Sequence, residues 1–186
     1  MAFTHGYADH GGLRMYYEVH GQAVPGQPPL LIPGGGSTIG TNFGDLLPLL
    51  AARRQVIAVE EEGHGRTQPT SRPLTAENSA GDILAVLGQL TVDAVDVLGF
   101  SAGGHTAVAL ALARPGAVRR LIAASTFVSR DAVPDEFWTP WRKPPWTTCP
   151  RPTKTRTAGS IPSPATWNGC SHWTAGAPLL LRLLND

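Results

Sequence analysis

The feature of this sequence that most constrains its fold is a serine enclosed by glycines, placed between an apolar run and an alanine- and leucine-rich segment. The run Val95–Leu98 leads into Gly99-Phe100-Ser101-Ala102-Gly103-Gly104. This order is typical of a strand, a sharp turn and a helix. Side chains at Gly99 and Gly103 would collide with the flanking strand and helix, so glycine is expected there. The pattern predicts that Ser101 stands at the helix N-terminus, where partial positive charge favours an oxyanion.

Short apolar runs alternate with helix-forming segments along the first 128 or so residues. The runs predict strands at Leu13–Val19, Leu30–Ile32, Val56–Val59, Val95–Leu98 and Leu121–Ala124. The segments between them predict helices at Phe43–Leu50, after Thr75 with apolar residues at i, i+3, i+4 and i+7, and after Ser101. Strands that alternate with helices specify an α/β fold with a mostly parallel sheet.

A second glycine-rich segment, Pro33-Gly34-Gly35-Gly36-Ser37-Thr38, follows the apolar run at Leu30–Ile32. Three consecutive glycines let backbone N–H groups point outward, which suits an anion or oxyanion site. The alternative from this segment alone is a flexible loop between a strand and a helix. It lacks the Gly-Lys-Ser/Thr ending of a phosphate-binding loop, and the segment around Ser101 lacks the G-x-G-x-x-G spacing of dinucleotide-binding domains.

Together with Glu60-Glu61-Glu62-Gly63-His64-Gly65-Arg66-Thr67, these segments resemble the α/β-hydrolase family, in its esterase and proline-iminopeptidase-like branch. The Pro33–Thr38 segment is similar to the family's oxyanion loop, with Pro33 in place of the usual histidine. The Glu60–Thr67 segment resembles its conserved loop after a strand, and the segment around Ser101 is similar to its nucleophile elbow. The three motifs occur in the family's order and spacing, over roughly residues 11–130.

The resemblance implies a serine hydrolase. Ser101 would be the nucleophile, and the backbone N–H groups of Ala102 and Gly35 would form the oxyanion hole. The substrate would be a small ester, amide or related acyl compound, attacked through a covalent acyl-enzyme. The resemblance implies no cofactor and no metal, and serine rather than aspartate at the elbow argues against dehalogenases and epoxide hydrolases. The alternative is a catalytically inactive fragment that at most binds a small ligand.

The catalytic acid and histidine are not evident in the sequence. In this family they follow the serine. We expect His105, one turn into the elbow helix, to be packed or solvated, and His64 to be a loop hydrogen-bonder or a pocket-rim residue. Asp131, Asp135 and Glu136 could be the acid and His172 the base. The surrounding sequence argues against this, because from Thr139 to Leu179 no periodic run predicts a strand or helix that would hold His172 near the serine.

Composition changes abruptly at Trp138. Up to that residue the chain has nine arginines, no lysine and thirteen acidic residues, whereas all five tryptophans lie at or after it. Compared with the family that the chain resembles, we expect a partial hydrolase core at 1–130, with strands 1–6 present and 7–8 missing, and a low-order tail at 131–186. We interpret the tail as out-of-frame translation starting near Trp138, the alternative being a genuine proline-rich tail. Stop codons in the neighbouring reading frame soon after codon 138 would exclude the first interpretation.

Charge and composition argue against several other classes of protein. The net charge is +1, which gives no footprint for nucleic acid or an anionic membrane. The start of the chain lacks a basic region followed by an apolar run, and no window reaches membrane-spanning length, so we expect a cytoplasmic protein. Two cysteines, Cys149 and Cys170, do not make a disulfide framework. The oligomeric state is not encoded in any motif.

Overall fold

The computed structural model describes residues 3–127, 129, 132 and 134. In this part of the chain, an N-terminal hairpin of two strands is followed by four further strands with helices between them. The strands are β1 (Phe3–His10), β2 (Leu13–His20), β3 (Pro29–Ile32), β4 (Val56–Glu60), β5 (Val95–Phe100) and β6 (Val118–Ala124). The α-helices are α1 (Ile39–Phe43), α2 (Leu46–Ala51), α3 (Ala76–Gln89) and α4 (Ala102–Ala113), and a 3-10 turn covers Pro115–Ala117.

The strands form one sheet in the order β1-β2-β4-β3-β5-β6. The hairpin β1–β2 and the pair β2–β4 are antiparallel, while β3 is parallel to both β4 and β5, and β5 is parallel to β6. The predicted α/β fold with a mostly parallel sheet is therefore confirmed. The carboxyl ends of β3, β4 and β5 lie side by side in the sheet, so the three glycine-containing segments predicted from the sequence meet at one edge.

Helices cover both faces of the sheet, as predicted. Leu30 and Ile32 face the core formed with α3 and α4, whereas Leu31 faces the core formed with α1 and α2. All three side chains are fully buried. The continuous apolar run of β3 follows from this position, because a strand buried on both faces has no solvent side to carry polar residues.

The structure corrects the helix predicted at Phe43–Leu50. Two short helices, α1 and α2, take its place. The first begins earlier because Thr38 caps it, with a reciprocal hydrogen bond between the Thr38 and Thr41 ends of a capping box. The second has Pro48 in its first turn, where proline is tolerated because that N–H has no helical partner.

Two other differences concern the strands β1 and β6. The strand β1 was not predicted, and β6 begins at Val118 rather than Leu121. The candidate acids Asp131, Asp135 and Glu136 and the candidate base His172 lie outside the described residues, as does nearly all of the predicted tail at 131–186. The division of the chain at residue 130 stays a prediction.

Candidate active site

Ser101 lies between β5 and α4 in a strained backbone conformation, with φ 51° and ψ −115°. Residues other than glycine rarely adopt a positive φ, and the surrounding structure has to hold Ser101 in this conformation. The Ser101 N–H donates to the Ala124 carbonyl oxygen at 2.8 Å. Its own carbonyl oxygen accepts from the Gly104 N–H at 3.0 Å and from the Thr126 hydroxyl at 3.1 Å. The end of β6 therefore fixes the turn from both sides of the serine.

The glycines flanking Ser101 are explained by close approach of the backbone. A Cβ built at Gly99 would overlap the Gly103 carbonyl group in α4. A Cβ at Gly103 would overlap the Ile32 carbonyl oxygen at the end of β3. Both positions thus require glycine for the strand-to-helix packing expected from the sequence.

The glycine-rich loop after β3 lies against the elbow. A Cβ at Gly34 would be 3.3 Å from the Ser101 Cβ, and one at Gly35 would be 3.5 Å from the Ala102 Cβ. The Ala102 N–H is the first of α4, where backbone donors have no intrahelical acceptor. Among the hydrogen bonds within the described chain, the Gly35 N–H takes part in none, whereas the Gly34 N–H donates to Asn42 Oδ1 at 2.7 Å. Two backbone donors thus remain available beside the serine.

His64 connects the loop after β4 to the loop after β3. Its Nε2 accepts the Gly36 N–H at 2.9 Å, and its Nδ1 lies 2.9 Å from the Glu62 carbonyl oxygen. His64 therefore forms hydrogen bonds within its own loop and to the neighbouring loop, as expected from the sequence.

Glu60 and Arg66 shape the rest of the loop after β4. The fully buried Glu60 carboxylate accepts from the Arg66 backbone N–H at 2.6 Å and from its guanidinium at 2.7 and 3.0 Å. These bonds raise the pKa of Arg66 above its usual range, so the guanidinium stays charged. Gly65 has φ 51°, and a Cβ there would overlap the Glu60 carboxylate. The glycine before the arginine is therefore needed for the loop to close over Glu60.

The elbow helix carries two further polar contacts. His105 Nε2 lies 2.8 Å from the Phe127 carbonyl oxygen, and the two rings pack edge to face at 4.7 Å. This contact ties α4 to the chain after β6, in line with the expected packing role. The Thr106 hydroxyl donates to Glu61 Oε1 at 2.6 Å. Burial raises the pKa of the Glu61 carboxyl, and the Thr106 hydrogen bond opposes this rise.

The structure brings together three of the residues singled out by the sequence, namely Ser101, Ala102 and Gly35. No described side chain forms a hydrogen bond with the Ser101 hydroxyl. Sequence reasoning missed Asn42 and Thr126, which hold the glycine-rich loop after β3 and the turn at Ser101. Neither could have been found from a local signal, because each contacts a segment distant in the chain.

The described residues contain neither a candidate metal site nor a candidate membrane-spanning helix. Within them, no three His, Cys, Asp or Glu side chains are grouped so that they could hold a metal ion. None of the helices that the structure describes is long and apolar enough to cross a membrane.

Several known proteins are similar to this chain in sequence or in fold. A sequence model of the alpha/beta hydrolase fold family matches residues 28–148. A 2-hydroxy-6-oxononadienedioate/2-hydroxy-6-oxononatrienedioate hydrolase from Cupriavidus pinatubonensis is 38% identical over 91 residues, which are 48% of this chain and 32% of that protein. A proline iminopeptidase from Clostridioides difficile is 29% identical over 133 residues, covering 69% of this chain and 45% of the relative.

Among solved structures, the fold is similar to that of Est816, described as an N-acyl homoserine lactone degrading enzyme. The TM-score is 0.62 at 27% identity, and the match covers 70% of this chain and 49% of Est816. The chain thus spans less than half the length of these relatives.

Proposed function

The chain belongs to the α/β hydrolase fold family, and on that premise we propose that it carries the nucleophile and oxyanion hole of a serine hydrolase. Ser101 is the nucleophile, and the N–H groups of Gly35 and Ala102 are the oxyanion donors. The observation that carries the proposal is the serine held at φ 51° beside two backbone N–H groups without acceptors in the described chain. Strain of this kind, held in place by the surrounding structure, is typical of functional sites.

The proposed chemistry is acyl transfer. The Ser101 Oγ bonds to the carbonyl carbon of the substrate, and the carbonyl oxygen takes up the negative charge between the two N–H groups. The intermediate then expels the alcohol or amine, which takes up the proton that the serine hydroxyl lost. Water then attacks the acyl-enzyme, so that the acyl group leaves as the acid and the serine hydroxyl is restored. The hydroxyl proton must pass to a base that lies outside the described residues.

The substrate is a small ester, amide or related acyl compound. This class follows from the donors, which fit an oxyanion on a tetrahedral carbon. It also agrees with the relatives, whose names describe a peptidase, a lactone-degrading enzyme and a hydrolase of an oxo acid.

A second candidate function is binding without turnover. It is favoured by one observation: the described hydrogen bonds of His64 and His105 are to backbone groups of Gly36, Glu62 and Phe127, and none of them is to Ser101. A serine with no base is a poor nucleophile, although an oxyanion hole alone retains some catalysis. In this case the site holds small acyl ligands and releases them unchanged.

A fluorophosphonate probe distinguishes the two candidates. We expect the full chain to be labelled, and the labelling to be lost in Ser101→Ala, because the probe forms a bond with an activated serine. Ser71→Ala, which alters an exposed loop serine, is the matched control and should be labelled like the unmodified chain. Absence of labelling in folded, unmodified chain would exclude the hydrolase and leave the ligand-binding function.

A further inference from the structure

We propose that His64 is a positioning residue for the oxyanion hole, acting through the backbone of the loop after β3. Its Nε2 accepts the Gly36 N–H and so sets the direction of the neighbouring Gly35 N–H. This inference rests on the proposed function, in which Gly35 N–H is one of the two donors. His64 does not touch the reacting atoms, and it acts only by holding the loop that does.

The loop needs such a support because its glycines have no side chains. On one side of Gly35, the Gly34 N–H donates to Asn42 Oδ1 at 2.7 Å. On the other side, the Gly36 N–H donates to His64 Nε2 at 2.9 Å, and Gly36 has φ 75°. Only glycine adopts that conformation readily, and the same freedom leaves it poorly fixed unless a partner holds it. Asn42 and His64 therefore form a clamp on either side of Gly35.

The clamp requires one particular form of the imidazole. Because the Gly36 N–H can only donate, Nε2 has to be the unprotonated nitrogen. The proton is then on Nδ1, where it donates to the Glu62 carbonyl oxygen at 2.9 Å. A ring protonated at both nitrogens would direct an N–H at the Gly36 N–H, and the bond would be lost.

Glu62 is itself held by several hydrogen bonds, so the carbonyl group that binds His64 is fixed in place. The Glu62 carboxylate is buried, and it accepts from the Arg72 guanidinium at 2.6 Å and from the Thr70 N–H and hydroxyl, each also at 2.6 Å. The support thus runs from Arg72 through Glu62 and His64 to the oxyanion loop. Hydrogen bonds to charged groups of this kind are among the stronger ones in proteins.

The test compares His64→Leu, which removes the acceptor, with His64→Gln, whose amide oxygen can replace Nε2. His5→Leu, on the exposed face of β1, is the matched control. We expect His64→Leu to lower the maximal rate of fluorophosphonate labelling about 10- to 100-fold with unchanged probe affinity, since small displacements of positioned groups have effects of this size. The His64→Gln variant should recover most of the rate, and His5→Leu should keep all of it.

A second measurement does not depend on activity. Amide hydrogen exchange by NMR should show faster exchange at Gly36 in His64→Leu than in the unmodified chain, with slow exchange restored in His64→Gln. In the unmodified chain, a scalar coupling across the hydrogen bond should connect the Gly36 nitrogen to His64 Nε2, so the inference remains testable if the variants do not fold.

The outcomes separate the two proposals. If the unmodified chain is not labelled, the proposed function is wrong, and exchange and coupling alone decide on His64. If the unmodified chain is labelled and His64→Leu is labelled equally fast, His64 has no positioning role. A protonated Nε2 with no coupling to Gly36 in the unmodified chain would overturn the inference by itself.

Discussion

Ser101 shows how single residues balance strain against contacts. A non-glycine residue at a positive φ is destabilised by roughly 1–3 kcal/mol. The bonds from its N–H to Ala124 and from Thr126 to its carbonyl oxygen oppose this strain. The glycines at 99 and 103 contribute by allowing β5, α4 and the end of β3 to come close enough for these bonds to form.

This account predicts opposite effects for two helical glycines. Gly103→Ala should lower the free energy of unfolding by about 1–3 kcal/mol, because the new methyl group overlaps the Ile32 carbonyl oxygen. Gly88→Ala, in α3, should raise it by about 0.5–1 kcal/mol, since no atom lies within 4 Å of the added Cβ and alanine favours the helix. Urea unfolding measures both. Equal effects would show that close approach does not explain Gly103.

The Glu61 carboxyl is expected to make the free energy of unfolding of the chain depend on pH. Burial raises the pKa of its carboxyl, so the folded chain binds this proton more tightly than the unfolded chain does. The free energy of unfolding should therefore fall as pH rises above the ordinary glutamate pKa of about 4.3. Glu61→Gln, which still accepts the Thr106 hydroxyl, should remove this contribution and be more stable than the unmodified chain at about pH 8 but not at about pH 4.

Urea unfolding at both pH values measures the difference. Glu77→Gln is the matched control, because Glu77 is exposed in the first turn of α3. A gain in stability at high pH that is equally large in both variants would contradict the assignment to Glu61.

At the scale of elements, β6 is the weak point of the sheet. Within the described residues it pairs only with β5, so its outer edge presents unpaired backbone groups. The side chains of Leu121 and Ile122 are 37% and 60% exposed. An apolar edge strand of this kind is a template for self-association.

We expect Ile122→Lys to reduce self-association, because a charged side chain on an edge strand opposes strand pairing. Light scattering of the full chain at increasing concentration measures it. Leu49→Lys is the control, since Leu49 is 68% exposed but lies on α2 rather than at an edge. The prediction is wrong if the two variants reduce scattering equally, because apolar exposure alone would then be the cause.

The elements that the sequence predicts well are those whose burial is uniform along the segment. β3 and β4 are apolar throughout because both of their faces are covered, and α3 carries its apolar residues at helical spacing. β1 was missed because it lies at the edge of the sheet with mostly exposed, polar residues. β6 was predicted too short because its first residues include the exposed, charged pair Arg119 and Arg120.

The site was predictable only where local backbone geometry dictates the residue. The glycines near Ser101 and in the loop after β3 are such positions. Close contacts there leave little room for a side chain, and glycine can be read directly from the sequence. The contacts of Asn42 with Gly34 and of Thr126 with Ser101 join segments that meet only in the folded chain. No local pattern requires asparagine or threonine there.

At the scale of the whole molecule, Asp82 joins α3 to the N-terminal hairpin. Its fully buried carboxylate pairs with the Arg72 guanidinium and accepts from His10 Nδ1 at 2.9 Å. A Cβ at Gly81 would lie 2.8 Å from the His10 ring, so helix and strand are closely packed here. The hairpin, at the opposite edge of the sheet from β6, is thereby anchored to the core.

Asp82→Asn should lower the free energy of unfolding by about 1–3 kcal/mol, because Arg72 loses one of its two carboxylate partners while Glu62 remains bound to it. Asp9→Asn is the control: Asp9 pairs with Arg14 at 3.4 Å, both side chains are at least 70% exposed, and such pairs contribute about 0–1 kcal/mol. Thermal and urea unfolding measure the two variants. A small effect at Asp82 would mean that the hairpin is held by apolar packing alone.

The bond between the Thr126 hydroxyl and the Ser101 carbonyl oxygen also sets an order of events during folding. The two residues are 25 positions apart, and α4 lies between them. During synthesis the helix therefore leaves the ribosome before the strand that secures its first turn. Until β6 has docked beside β5, the bonds with Ala124 and Thr126 are missing and only the Gly104 N–H holds the serine carbonyl, so we expect the turn to relax. We therefore expect Ser101 to reach its strained conformation only in a late step of folding, when the last strand of the described chain joins the sheet.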